Sequence, residues 1–227
     1  FGKTVLISHI LRSRIEGGRG CLFIDQKGDR ETIEQFTSYV RAADRLADLK
    51  VFSLAAHDNS SSYNLLNNGS ATELRDRIMT SLIWSEEYYK NQSAGFLMHL
   101  MAGLCWLRDN RSLKIDIELI VRCLKDVEYI AELTKQIPSD LDRVRMRLEE
   151  AHSFLSSSDN FKSLQGLRVQ LESIAYSDFG DRVLWSDNAI DLFEAVRSGK
   201  IVFMFLDTRR FGETARAVGR FIIQDLK

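Results

Sequence analysis

Three compact apolar runs constrain this chain more than any other feature: Gly20 to Asp25 (GCLFID), Leu49 to Leu54 (LKVFSL) and Lys200 to Leu206 (KIVFMFL). None alternates apolar with polar residues, which is the pattern of strands in a parallel sheet covered by helices on both faces. Helical segments separate them. Lys3 to Glu16 reads as a helix stopped by Gly17-Gly18, since glycine tolerates the left-handed conformation that ends a helix. Asp29 is placed to cap a second helix running to about Leu46, with Ile33, Phe36, Val40, Ala43 and Ala47 on one face. Helix, strand, helix, strand is the opening of a doubly wound α/β fold.

The rhythm then changes. After the polar stretch His57 to Ser62, no convincing strand appears before Lys200. Ser70-Ala-Thr-Glu73 is a capping box that opens a helix, and Ile78, Leu82, Phe96, Leu100, Leu104 and Leu107 recur at helical spacing. Pro138-Ser139 starts another helix, Ser156 to Asp159 interrupts it, and a further helix runs to about Tyr176. Asp187 to Arg197 reads as a helix before the third strand, and a last helix follows from about Gly212. The expected organisation is a partial nucleotide-binding α/β domain over 1–66 and 182–227, interrupted by an all-α domain over 67–181.

Totals exclude several classes. The formal net charge is -1, so the chain as a whole exerts no strong pull on nucleic acid or an anionic membrane. No uninterrupted apolar run reaches the length of a bilayer span. Cys21, Cys105 and Cys123 have no paired spacing and sit in apolar stretches, which reads as buried free thiols. His9, His57, His99 and His152 show no metal-ligand spacing.

The chemistry lies at the start. Gly2-Lys3-Thr4 opens a helix that continues with apolar Val5, Leu6 and Ile7. A phosphate-binding loop needs this: backbone N–H groups and the helix terminus attract phosphate, a lysine reaches the β/γ-phosphates, and a threonine hydroxyl binds Mg²⁺. Asp25 and Lys27 follow the first strand, where ligand sites of open α/β sheets gather. The alternative there is a strand-end turn, with Gly28 turning the chain and Asp29 capping the helix. Asp207 ends the third run as a Walker B acid would, but Thr-Arg-Arg follows it rather than Glu.

Gly-Lys-Thr, Phe-Ile-Asp-Gln-Lys-Gly-Asp (23–29), Ser-Tyr-Asn-Leu-Leu (62–66) and the tail from Leu206 to Lys227 stand in the order and spacing of one family. Together they resemble the TraD/TraG class of conjugative coupling proteins, ATPases that feed DNA–protein substrates into type IV secretion channels. The resemblance implies a RecA-like, ATP- and Mg²⁺-dependent hexameric motor at the cytoplasmic face of the bacterial inner membrane. Its anchor would lie upstream of this stretch, and DNA, relaxase or secreted proteins and the channel components would be its partners. Lys3 and Thr4 carry over as nucleotide ligands. Leu206-Asp207 carries over as the strand before Walker B, so the Asp-Glu pair is expected beyond Lys227. The stretch would then be an interior fragment that does not hydrolyse ATP alone. The family's Asn-Pro-Leu is Asn64-Leu65-Leu66 here, a departure in the loop before the helical block.

Arg209, Arg210, Arg216 and Arg220 are candidates for contacting DNA phosphates or a neighbouring subunit's nucleotide. The plainer reading is a solvated face in which Glu213 pairs with Arg216, opposite a packing face of Phe211, Ala215, Val218, Ile222 and Leu226. Arg143, Arg145 and Arg147 fan around a helix as ordinary surface, the alternative being contact with relaxase or DNA. Trp84, Tyr88 and Tyr89 read as helical core with an exposed rim, or as a base-stacking surface. Two rivals remain: another FtsK/HerA-type motor (a DNA pump or pilus-assembly ATPase), and a non-catalytic substrate adaptor with a degenerate phosphate loop.

Overall fold

The computed structural model describes residues 3–27, 30–55 and 60–227, with the side chains of Lys3, Thr4 and Arg30 outside that description. It is a mixed α/β chain with a small three-stranded parallel sheet and many helices. Two compact units emerge: Phe1–Tyr63 with Ser186–Gly219 and Leu226, and Asn64–Trp185 with Arg220–Asp225 and Lys227.

In the first unit, α1 (Lys3–Glu16) leads into β1 (Cys21–Asp25), α2 (Arg30–Ala42) and β2 (Leu49–Ser53). The strand β3 (Ile201–Phe205) lies between β1 and β2, parallel to both. Side chains alternate across a strand. Ile201, Phe203 and Phe205 therefore point to one face, where they meet Leu11 and Ile15 of α1 and Phe36 and Val40 of α2. Phe23 joins this core edge-on to Phe36, with ring centres 4.7 Å apart. Each fully buried side chain of this core, such as Ile15, Phe36 or Phe203, contributes about 1.5–3 kcal/mol. On the opposite face, a Cβ added to Gly219 would lie 2.8 Å from Leu206, so the helix α12 (Thr208–Asp225) runs on the side away from α1 and α2.

The amino ends of the strands are tied by one side chain. Arg45 donates to the carbonyls of Arg19 at 2.8 Å and Gly199 at 3.0 Å, and to Asp48 at 3.0 Å. Lys200 completes the cluster on Asp48 at 2.9 Å.

In the second unit, α3 (Ala71–Ser81) begins with the expected capping box: Glu73 N–H donates to Ser70 Oγ and Ser70 N–H to Glu73 Oε2. It is followed by α4 (Glu87–Arg111), α5 (Ile117–Lys125), α6 (Val127–Lys135), α7 (Asp142–Ser156), α8 (Ser158–Ser163), α9 (Gln165–Ala175) and α10 (Gly180–Val183). Ile78, Leu82, Phe96, Leu100, Leu104 and Leu107 are all buried. Burial pushes the Cys123 thiol up to about 12, as expected of a packing cysteine. Cys105 is buried too, whereas Cys21 is only half-buried.

Several boundaries differ from the sequence expectation. α2 stops at Ala42 rather than near Leu46, because Asp44 turns left-handed (φ 55°) and a short 3₁₀ turn, Leu46–Asp48, follows. The helix expected over 187–197 is only α11 (Leu192–Arg197), since the Asp191 side chain caps it by accepting from Glu194 N–H. The last long helix begins just after Gly212, as expected; a short helical turn from Thr208 to Phe211 precedes it across a kink at Gly212 (φ 57°, ψ -131°). Leu226, placed on the packing face by its spacing, is 45% exposed.

Candidate functional site

Parallel pairing sets Asp25, Phe205 and Ser53 abreast, so the carboxyl ends of the three strands form one edge. The chain continues past each strand without losing its partner. Leu206 N–H donates to Asp25 O at 2.9 Å, Thr208 N–H to Gln26 O at 2.8 Å, and Leu54 N–H to Phe205 O at 3.0 Å. Ser60 Oγ stitches β2's end by accepting from Ser53 N–H at 2.9 Å. Asp25 and Asp207 thus sit on neighbouring strand tips.

Asp207 has a left-handed backbone (φ 45°), which asparagine and aspartate tolerate best among residues with a Cβ. Its carbonyl accepts from the N–H groups of Arg210 and Phe211 at 3.1 Å. Its Oδ1 accepts from Arg210 N–H at 3.4 Å. The strand end is thereby the cap of the turn that follows, a role the sequence pattern does not reveal, since there Asp207 marks the close of the third apolar run.

α1 approaches the same edge from the other direction. Fourteen helical residues span about 21 Å and five strand residues about 17 Å. The Gly17–Gly20 turn reverses the chain between α1 and β1, and Leu11 and Ile15 lie in the sheet core. The amino end of α1 is therefore directed to the carboxyl edge of the strands. Gly2 lies outside the described residues, as do Gly28 and Asp29, and so do the side chains of Lys3 and Thr4. Lys27 is exposed on the bend after β1.

Neither a protein-family model nor a curated protein matches the chain.

The four arginines divide by their surroundings. Arg209 and Arg210 are exposed on the first turn of α12, with the Arg210 guanidinium 4.9 Å from the Phe211 ring centre. Arg216 pairs with Glu213 at 3.2 Å on an exposed face. Arg220 Nε donates to Ser81 O at 2.6 Å, filling one of the carbonyls left open at the end of α3. Elsewhere, Arg145 meets Glu149 at 3.7 Å and Arg147 approaches His99 at 3.4 Å. Trp84 donates to Met79 O at 2.8 Å, while Tyr88 and Tyr89 are exposed and stacked edge-on. Among the described residues no three His, Cys, Asp or Glu side chains group as a metal cage, and no helix is long and apolar enough to cross a membrane.

Proposed function

We propose that this chain is the nucleotide-binding sheet and helical insert of a RecA-like, ATP-driven motor, and that the motor delivers DNA–protein substrates to a type IV secretion channel. One observation carries the reading. A parallel sheet sets Asp25 and Asp207 on adjacent strand tips, at the edge toward which the Lys3 end of α1 is directed. Ligands of open α/β sheets bind at that edge.

Topology supports it. Consecutive parallel strands are joined by right-handed crossovers in nearly all proteins. Because α1 and α2 share a face, the strand feeding α1 would lie beyond β1, away from β3. Because α12 runs on the opposite face, the strand after it would return in that same direction. A phosphate-loop strand and an acidic strand would then be neighbours on the free side of β1. That side is ready for them. Odd-numbered residues of β1 bond to β3 (Cys21 N–H to Lys200 O; Asp25 O from Leu206 N–H), which leaves the backbone groups of Leu22 and Ile24 pointing outward. Val5 and Leu6 near the start of α1 are each 61% exposed.

Mg²⁺ fits this arrangement, since it takes one or two protein oxygens and completes its shell with water and substrate phosphate. Thr4 would hold it, and Asp25 sits at the carboxyl edge of the strands. Among the described residues, Lys27, Arg209 and Arg210 are exposed cations at this edge, for phosphate, DNA or an adjoining subunit of a hexamer.

The test is nucleotide binding in the protein that carries this chain. A fluorescent ATP analogue with Mg²⁺ should bind, and Lys3→Ala should weaken it by about 10- to 100-fold, the worth of one charge-assisted contact. Unchanged affinity in Lys3→Ala would sink the reading.

A further inference from the structure

The helical unit contains an ion pair that the nucleotide reading does not use. Arg77 Nη2 lies 2.5 Å from Asp225 Oδ1, with the two side chains only 7% and 6% exposed. Arg77 Nη1 also donates to Leu65 O at 3.2 Å, and its Nε is buried without a partner. One turn further along α3, the Ser81 carbonyl receives Arg220. So α3 grips the last turns of α12 at two points, and through Arg77 it grips the segment that opens the unit as well.

We propose that Arg77 is a latch coupling two segments: the terminal turn 220–225 and the leading segment 64–66. The physical reason is the cost of a half-open state. If the terminal turn leaves, Asp225 regains water, but Arg77 stays buried with one carbonyl as its partner, and an uncompensated buried charge is strongly unfavourable. The guanidinium must then be exposed too, which breaks its bond to Leu65 O. Docking of 220–225 and seating of 64–66 are therefore one event. Because the pair is buried, bulk salt screens it little. The leading segment is also held by Leu65 N–H to Val183 O (3.4 Å), by Asn64 Nδ2 to Ile115 O (2.8 Å) and by the buried side chains of Leu65 and Leu66. They hold it near the unit but do not replace the Arg77 bond.

Hydrogen exchange read by mass spectrometry on the 227-residue chain tests this without any nucleotide, so its outcome is separate from the fate of the motor reading. In Asp225→Asn, amides of 220–225 and 64–66 should exchange at least about tenfold faster together, while α5 and α9 keep their protection. The paired variant Arg77→Met with Asp225→Leu should recover protection in both segments, since apolar residues of similar volume can replace a buried pair. The proposal is overturned if Asp225→Asn leaves 220–225 as protected as before, or if only one of the two segments loosens. It is equally overturned if the whole helical unit opens at once, because the pair would then be part of the global core rather than a separable latch.

Discussion

Asp48 shows how a single half-buried carboxylate organises one end of a sheet. Hydrogen bonds from Lys200 and then Arg45 hold its carboxyl below the usual carboxylate range. A depressed folded-state pKa contributes stability that is complete above the unfolded-state value and is lost as pH falls through the folded value. Thermal melts of wild type and Asp48→Asn should therefore differ at neutral pH and converge in acid below the ordinary aspartate range. A difference that persists unchanged at low pH would show that the carboxylate's charge is not what matters. At this scale the sequence was partly legible. That Asp25 and Asp207 close strands and that Lys3 opens a helix could be read locally, because strand ends and a helix start mark themselves in the sequence. The roles of Arg45, Arg77 and Arg220 could not, because each depends on partners far along the chain. Arg220, which spacing placed with an exposed basic stripe, is engaged by a carbonyl 139 residues away.

Among elements, the strands were the most legible, each within a residue of the compact apolar run that predicted it. Helix ends were less so, since they depend on single backbone conformations such as the left-handed Asp44 and Asp207. The pairing of α4 with α7 was invisible in sequence, although it rests on one small residue. A Cβ at Gly103 would collide with the Leu148 side chain, so the two helices meet where Gly103 leaves room. Gly103→Ala should destabilise the helical unit by about 1–3 kcal/mol through overpacking, more than offsetting alanine's better helix propensity. In a Leu148→Ala background the same change should cost much less. Equal costs in both backgrounds, measured by denaturant titration, would remove Leu148 from the explanation.

For the whole molecule, the two compact units do not follow chain order. The helical unit takes Arg220–Asp225 from the end of the sequence, whereas hydrophobic periodicity assigned that stretch to the α/β part. Periodicity reports which face of a helix is apolar but not what covers it, and Phe221 and Ile222 are buried whichever unit receives them. A chain of residues 64–185 alone would therefore keep Arg77 and lose Asp225. Its helical unit should be less stable than in the parent by at most about 3–5 kcal/mol, the cost of a buried charge without its counter-ion, reduced to the extent that release of 64–66 lets Arg77 reach water. Adding Arg77→Met should recover much of that loss. Denaturant midpoints of the three proteins check it, and equal midpoints with and without Arg77→Met would contradict it.

The outward amides and carbonyls of Leu22 and Ile24 carry a practical consequence. A sheet margin built of Cys-Leu-Phe-Ile, with no proline, bulge or inward charge to blunt it, is the kind of surface that recruits strands from other molecules. These residues studied in isolation would be prone to aggregate through that seam as protein concentration rises, and a lysine in place of Ile24 is the simplest gatekeeper against it.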